Sequence, residues 1–332
     1  MIIVTGGAGF IGSCLVAKLN QLGYKDILIV DNLGCQLKWK NLANKKFTGF
    51  LYKDKFREII RQYEKTDNLY IPDFDNKNID AVIHLGACSS TTETNANYLL
   101  DNNFLYTKEL AKFALSRGIR FIYASSAATY GDGKNGYSDE SIDNLTPLNC
   151  YGLSKHLFDM WLYENNLQND VTGVKFFNVF GPNEYHKGDM RSMFYKAFKQ
   201  IEQTGKVRLF KSYNPLYHDG EQKRDFIYVK DCVDIFIKIL QDSSFKGLYN
   251  IGTGQAHTWN ELANSVFNAM NRIPNIEYIE MPEELKKQYQ YFTEADTKKL
   301  LNKLGADWSF TSIEEAAKDY VQNYLQLEEA VW

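Results

Sequence analysis

Thr5-Gly6-Gly7-Ala8-Gly9-Phe10-Ile11-Gly12 follows the apolar run Ile2-Ile3-Val4 and opens an amphipathic stretch that reaches Leu22 and stops at Gly23. A strand, a glycine turn and a helix in that order aim backbone N–H groups at one point, where the helix N-terminus favours a phosphate. The glycines fit both GxxGxxG (Gly6, Gly9, Gly12) and GxGxxG (Gly7, Gly9, Gly12). They permit the tight turn and let the backbone approach a pyrophosphate. The lesser alternative is a glycine turn that binds nothing. Downstream, Ile27-Leu28-Ile29-Val30, Ala81-Val82-Ile83-His84-Leu85, Phe121-Ile122-Tyr123-Ala124 and Val171 to Val179 read as further apolar strands, with helical periodicity from Tyr98 to Ala114. Continuous apolar strands alternating with helices predict an α/β fold, a doubly wound parallel sheet of Rossmann type covered on both faces.

The pattern changes after Asn178. Pro182, Pro215, Pro274 and Pro282 punctuate longer loops. Arg224 to Val229 reads as a strand, Lys230 to Gln241 as a helix, and Tyr249-Asn250-Ile251-Gly252 as a short strand. The expected organisation is a nucleotide-binding domain over 1–177 plus 225–254, a smaller α/β substrate domain over 178–224 plus 255–325, and a tail over 326–332.

Composition narrows the function. The 332 residues are 44% hydrophobic, enough for a real core, and no charge run or low-complexity tract suggests disorder. A formal net charge of -3 argues against a nucleic-acid surface. No apolar run approaches the ~20 residues that cross a bilayer, and Met1 to Val4 is too short for a signal peptide. The five cysteines (Cys14, Cys35, Cys88, Cys150, Cys232) are odd in number and form no CxxC pair, which fits a reduced, cytoplasmic chain. The five histidines lack ligand spacing, so no metal is expected.

The chemistry is carried by Tyr151 and Lys155 in Asn149-Cys150-Tyr151-Gly152-Leu153-Ser154-Lys155. On a helix, positions i and i+4 share a face. The Lys155 ammonium beside the Tyr151 phenol is expected to lower a pKa that is otherwise near ~10. Together with the glycine loop this describes a site that moves a hydride. Ser126 closes a strand and, beside Tyr151 and Lys155, reads as a hydrogen-bond donor to a reacting oxygen; alone it is a loop hydroxyl. Asp31 lies 19 residues past Gly12, where an acid meets the adenosine ribose hydroxyls and favours NAD. Lys38 and Lys53 follow at distances that return to the same pocket, where cations favour the 2′-phosphate of NADP; each is otherwise a solvated charge. In His84-Leu85-Gly86-Ala87-Cys88-Ser89, small residues let a ribose–phosphate lie across the sheet, or simply pack a helix on a strand. Cys88 has no His partner and reads as apolar filler. Asn178 to Met190 is a turn into a long polar loop, a frequent functional site. Within it Lys187 is a candidate acid–base group or a surface charge. Arg224 holds a phosphate bidentately or pairs with Asp225.

MIIVTGGAGFIGS, VDNL, LGACSSTTE, LLDNNF, YASSAATYG, PLNCYGLSK, FFNVFGPNEYHKGDM, KRDFIYV and YQYFTEAD occur in this order from Met1 to about Leu325. Together they resemble the extended short-chain dehydrogenase/reductase superfamily of nucleotide-sugar enzymes, and within it the ADP-heptose 6-epimerase family; HKGDM and LGACSSTTE are the most specific stretches. The resemblance implies that Phe10, Ile11, Asp31, Asn32, Lys38 and Lys53 contact NADP. Leu85, Gly86, Ala87, Cys88, Ser89 and Asn102 would line the rest of the groove, with Tyr151, Lys155, Val179 and Lys187 near the nicotinamide. Ser126, Asn178, Asp189, Lys196, Phe210, Lys211, Ser212, Arg224 and Tyr289 would touch the ADP-sugar. The family commonly has small or polar residues at Asp189 and a His at Lys196, and the insertion Tyr213 to Gln222 is longer than usual.

The resemblance further implies one tightly retained NADP per subunit with NAD accepted, a homo-oligomer, a cytoplasmic location in a Gram-negative bacterium, and a product that feeds the lipopolysaccharide inner core. C6 of ADP-D-glycero-D-manno-heptose carries a hydroxyl but no acidic C–H. Inversion is therefore expected through transient oxidation to a ketone and re-reduction, with Tyr151 and Lys187 serving the two oxygen positions and Ser126 and Lys155 orienting. Two alternatives stand: another nucleotide-sugar epimerase or dehydratase of the superfamily, and a non-catalytic NADP-sensing scaffold. A dehydratase is expected to place an acidic pair where this chain has Ala127-Ala128.

Overall fold

A computed structural model describes residues 1–34, 37–66, 69–71, 78–286 and 289–332. Its strands, in chain order, are β1 (Ile2–Thr5), β2 (Ile27–Asp31), β3 (Gly49–Tyr52), β4 (Ala81–His84), β5 (Arg120–Ser126), β6 (Thr172–Phe176), β7 (Asn178–Phe180), β8 (Val207–Phe210), β9 (Lys223–Tyr228), β10 (Gly247–Ile251), β11 (Ala256–Thr258), β12 (Ile276–Ile279) and β13 (Phe292–Thr293). Seven of them form one parallel sheet in the order β10-β6-β5-β4-β1-β2-β3. The doubly wound expectation is met.

The apolar runs exist because both faces of this sheet are covered. Successive side chains point to opposite faces. Ile2, Val4, Ile27, Ile29, Ile83 and Ile122 enter one core with the helices Phe10–Gln21 and Val229–Gln241. Ile3, Leu28, Val30, Val82, Phe121 and Tyr123 enter the other, with Lys53–Thr66, Tyr106–Ser116 and Cys150–Glu164.

Three local readings change. Val171 to Val179 is not one strand. β6 ends at Phe176, the Val179 N–H turns back to the Phe177 carbonyl at 3.0 Å, and β7 pairs with β9 in a separate small sheet with β11 and β13. Apolar composition continues across the break, but the hydrogen-bonding partner does not. The helix expected from Tyr98 runs instead as Ala96–Leu99, a π-helical stretch Leu100–Leu105, and Tyr106–Ser116. The extra residue in a π turn re-aims side chains, and such turns mark functional sites; here Asn102 and Asn103 are both buried. The segment 225–254 is divided: β9 hydrogen-bonds within the small sheet, while Val229–Gln241 packs on Phe10–Gln21 and β10 becomes an edge of the large sheet. β8 and β12 form a two-stranded sheet beyond it.

Cys35 lies outside the described residues; Cys14, Cys88, Cys150 and Cys232 are free thiols. No helix among the described residues is long and apolar enough to cross a membrane.

Candidate active site

The strand order reverses between β1 and β4, the point where open α/β sheets bind ligands. A cavity of about 650 Å³ opens there, at the carboxyl ends of the strands. Its floor is the glycine loop. Gly6 has φ +69°, and a Cβ there would fall 2.6 Å from the Gly86 nitrogen; one on Gly12 would fall 2.1 Å from the Gly6 carbonyl oxygen. Any side chain at either position would therefore pry the turn apart. Gly9 caps the helix Phe10–Gln21 with no side-chain hydrogen bond. The first amides of that helix are left for an anion, so the loop fits a dinucleotide pyrophosphate.

Asp31 ends β2 and is buried. Its carboxylate accepts from the Ala8 N–H at 2.9 Å and the Asn32 N–H at 2.7 Å, and pairs with the Lys38 ammonium. Lys38 also donates to the Asn32 carbonyl at 3.1 Å. Lys53 donates to Asn102 Oδ1 at 3.0 Å, so the π turn receives the second lysine. Gly6, Gly9, Phe10, Ile11, Gly12, Asp31, Asn32, Lys38, Lys53, Leu85, Gly86, Ala87, Ser89 and Asn102 all line the cavity. Cys88 is not on its lining; its N–H and carbonyl are held by Asn103 at 2.8 and 3.0 Å.

A relay that motif reading missed braces this floor. Thr107 donates to the Asn103 carbonyl at 2.5 Å, so it accepts from His84 Nε2–H at 2.8 Å. His84 Nδ1 then accepts from the Thr5 hydroxyl at 2.6 Å, and Thr5 Oγ1 accepts from the Gly86 N–H at 3.2 Å. Burial holds His84 well below its ordinary pKa, which keeps the imidazole neutral as this direction requires. Asn103 continues the chain to Ser154 at 3.0 Å, and Ser154 donates to the Tyr151 carbonyl at 2.7 Å. The signal was an ordinary Thr and His on strands, indistinguishable in sequence from core residues.

The reacting cluster lies further along the same wall. Asn149 caps the helix Cys150–Glu164 by accepting from the Gly152 N–H at 2.8 Å, which fixes Tyr151 and Lys155 one turn apart. Ser126 ends β5 and accepts from the Ala128 N–H at 3.1 Å. Ser126, Tyr151, Lys155 and Val179 line the cavity together. The expected lowering of the phenol pKa is corrected here. Burial raises Tyr151, and the opposing influence is a hydrogen bond with Ser126. Lys155 instead donates to the Ala124 carbonyl at 2.9 Å. Burial lowers its own pKa to about 8, opposed by the charge of Asp159.

Lys187 reaches the cavity from a 3-10 segment, Tyr185–Met190, and its ammonium sits 5.4 Å from the centroid of the Phe10 ring. Burial lowers its pKa, opposed by Glu184. Asn178 also lines the cavity and donates to the Asp225 carbonyl at 3.0 Å. Arg224 is buried between the rings of Trp259 and Tyr289, at 5.7 and 5.3 Å, and donates to the carbonyls of Lys223 and Gln290. Trp259 and Gln290 are on the cavity lining; Arg224 and Tyr289 stand behind them. Asp189 is exposed and off the lining, and Lys196 lies on the helix Met193–Thr204, also off it. Phe210 ends β8 and Lys211 and Ser212 follow it, all three off the lining, with Lys211 paired to Glu280 at 2.6 Å and Ser212 donating to the Asn214 carbonyl at 3.0 Å. His186, Arg191, Trp259 and Gln290 are among the lining residues that had not been expected. Arg191 adjoins the HKGDM stretch and Gln290 lies within YQYFTEAD, both usable signals; Trp259 arrives from a segment with no motif.

Residues 2–252 match the model of the NAD dependent epimerase/dehydratase family. An ADP-L-glycero-D-manno-heptose-6-epimerase of Nitratidesulfovibrio vulgaris (strain DP4) is 50% identical over 98% of this chain and 98% of its own. One of Fusobacterium nucleatum is 48% identical over 99% of each. The crystal structure of the Helicobacter pylori ADP-L-glycero-D-manno-heptose-6-epimerase superposes with a TM-score of 0.77 at 27% identity, covering 97% of this chain and 95% of that one. The chain belongs to the NAD dependent epimerase/dehydratase family and, within it, to the ADP-L-glycero-D-manno-heptose-6-epimerases.

Proposed function

We propose that this protein inverts C6 of ADP-D-glycero-D-manno-heptose to give the L-glycero epimer, a cytoplasmic step toward the lipopolysaccharide inner core. One observation carries the reading. Ser126, Tyr151, Lys155 and Lys187 share one cavity wall with the glycine loop, so acid–base groups and a dinucleotide cradle serve the same space. When bound there, a nicotinamide supplies a hydride acceptor that returns the hydride, so C6 passes through a ketone with no net oxidation.

The protein's part is to manage the proton on the C6 oxygen. Burial pushes Tyr151 and Lys187 in opposite senses: the phenol keeps its proton, and the ammonium is inclined to give its proton up. Two titratable groups with diverging pKa values mark an acid and a base. Lys187 takes the hydroxyl proton as C6 is oxidised; after the carbonyl presents its other face, Tyr151 donates to the oxygen as C6 is reduced. The reverse reaction uses the same groups in exchanged roles. Ser126 orients the phenol, and Lys155, one turn along the same helix, is anchored on the Ala124 carbonyl.

We take Lys38 and Lys53 to favour NADP over NAD: both line the cavity, Lys38 paired with Asp31 and Lys53 held by Asn102. We assign cofactor binding to the larger unit (1–177 with 229–254) and the ADP-sugar to the smaller (178–228 with 255–325), β9 going with the small sheet. Asn178 takes the sugar, and Arg224 with Tyr289 backs the nucleotide end. Asp189, Lys196, Phe210, Lys211 and Ser212 have no contact in this reading. Incubation with ADP-D-glycero-D-manno-heptose, followed by resolution of the two C6 epimers, is the test. Absence of the second epimer, with other nucleotide sugars turned over, rejects it.

A further inference from the structure

The loop that carries Lys187 is closed by a carboxylate that lies in FFNVFGPNEYHKGDM but was given no role there. Glu184 is fully buried. It accepts from the Ser192 N–H at 2.5 Å and the Ser192 hydroxyl at 2.6 Å, across the loop, and from the hydroxyl of buried Tyr320 at 2.9 Å. Its own carbonyl accepts from the Lys187 N–H at 3.0 Å. Between these two ends the chain turns through Gly188, at φ 56°. Ser192 also caps the helix Met193–Thr204 by accepting from the Tyr195 N–H. One side chain thus ties the start of the loop to its end and both to the helix Ile313–Asn323.

A surface loop does not need this. Burying a carboxylate is costly unless it is hydrogen-bonded and its charge compensated. The three donors answer the first requirement, and the Lys187 ammonium supplies compensating charge through space. In return, the Glu184 charge is what opposes the desolvation of Lys187.

We propose that Glu184 is the positioning residue for Lys187: it holds the Lys187 loop closed over the groove and keeps the buried amine able to carry a proton. This rests on the reading of Lys187 as the second acid–base group.

Apart from Lys45, lowered to about 8 by burial, the other titratable groups around the pair stay in one protonation state near neutral pH. Burial holds Cys14, from the helix Phe10–Gln21, and Tyr185 and Tyr320 in their protonated forms. His186, between Lys187 and the Lys38–Asp31 pair, is pushed down to about 4 and is neutral. Lys45 and Lys230 act on Cys14. Arg191 is engaged with the Gly188 carbonyl at 2.6 Å and the Tyr195 hydroxyl at 2.8 Å, and that hydroxyl donates to Glu329. Glu184 and Lys187 are thus the two members of this group whose charges trade against each other.

Glu184→Gln keeps the volume and removes the charge. In the cofactor-loaded enzyme, kcat for epimerisation is expected to fall about ten-fold or more, the scale of a displaced acid–base group, with KM little changed. The limb of the kcat–pH profile that reports Lys187 moves to lower pH, because the negative charge that supports its proton is gone. Tyr320→Phe, which removes one hydroxyl and keeps the ring, shifts the same limb less and guards against a Gln variant that does not fold. Lys187→Met is run in parallel. If Lys187→Met epimerises normally, the reading of Lys187 fails. If Lys187→Met is crippled while both other variants keep the wild-type rate and profile, the role of Glu184 alone is overturned. A slow Glu184→Gln with an unmoved limb and a lowered thermal midpoint also overturns it, since that is a scaffold effect.

Discussion

Lys175 Nζ stands 2.9 Å from the Asp159 carboxylate, with both side chains wholly buried beneath the helix that carries Tyr151 and Lys155. Asp159 also accepts from the hydroxyls of Tyr123 at 2.9 Å and Ser125 at 2.8 Å. Lys175 donates to Thr129 Oγ1 at 2.7 Å and lies 4.9 Å from the centroid of the Tyr130 ring. The pair bolts β5 and β6 to the catalytic helix. Asp159 follows Lys155 by one turn, and its charge supports the Lys155 proton.

Breaking that pair leaves one buried charge uncompensated. Asp159→Asn or Lys175→Met is therefore expected to cost about 3–5 kcal/mol of stability. Urea unfolding midpoints against wild type are the check. Retention of the wild-type midpoint by both variants contradicts the expectation.

Tyr151→Phe keeps the ring and removes the hydroxyl. Turnover should fall at least ~10²-fold, as loss of an acid–base group does, while the thermal midpoint changes little. A variant within a few-fold of wild-type rate removes Tyr151 from the mechanism.

Stripped enzyme should prefer NADP, and Lys53→Ala should narrow the preference. A partly desolvated lysine–phosphate contact is worth about 1 kcal/mol, roughly five-fold in affinity. Activation constants for NADP and NAD, measured on wild type and variant, decide it; equal constants in the wild type sink the idea.

Lys155 predicts a pH signature in stability. Its folded pKa is lowered to about 8 from the ordinary 10.5. Below about 8 both states hold the proton and the folded state bears the desolvation cost. Between the two values the unfolded chain binds more protons, so stability rises with pH across that window. Lys45, also lowered to about 8, contributes the same sign in both proteins. The rise should be smaller in cofactor-free Lys155→Met than in wild type, read by denaturant titrations across the window.

If the hydride returns to the carbon it left, epimerisation in D2O should place no deuterium at C6. Deuterium installed at C6 of the substrate should remain there. Mass spectrometry of the product distinguishes this from proton abstraction at carbon, which predicts the opposite labelling.

The glycine loop, the apolar strands and the Tyr151–Lys155 spacing were legible because each is a local demand. A pyrophosphate cradle needs glycines, a doubly covered strand needs unbroken apolar residues, and two side chains on one helical face need a spacing of four. The sequence by itself therefore determined the sheet, the dinucleotide floor and the reacting pair. Only the tertiary structure decided what depends on partners distant in the chain. It moved β7 out of the large sheet, set the π turn that buries Asn102 and Asn103 together, and brought Trp259 and Gln290 to the wall in place of Phe210, Lys211 and Ser212. It also reversed the expected effect on the Tyr151 phenol. Spacing puts a lysine one turn away, but Lys155 is engaged with the Ala124 carbonyl, and burial, opposed only by the Ser126 hydrogen bond, raises the phenol.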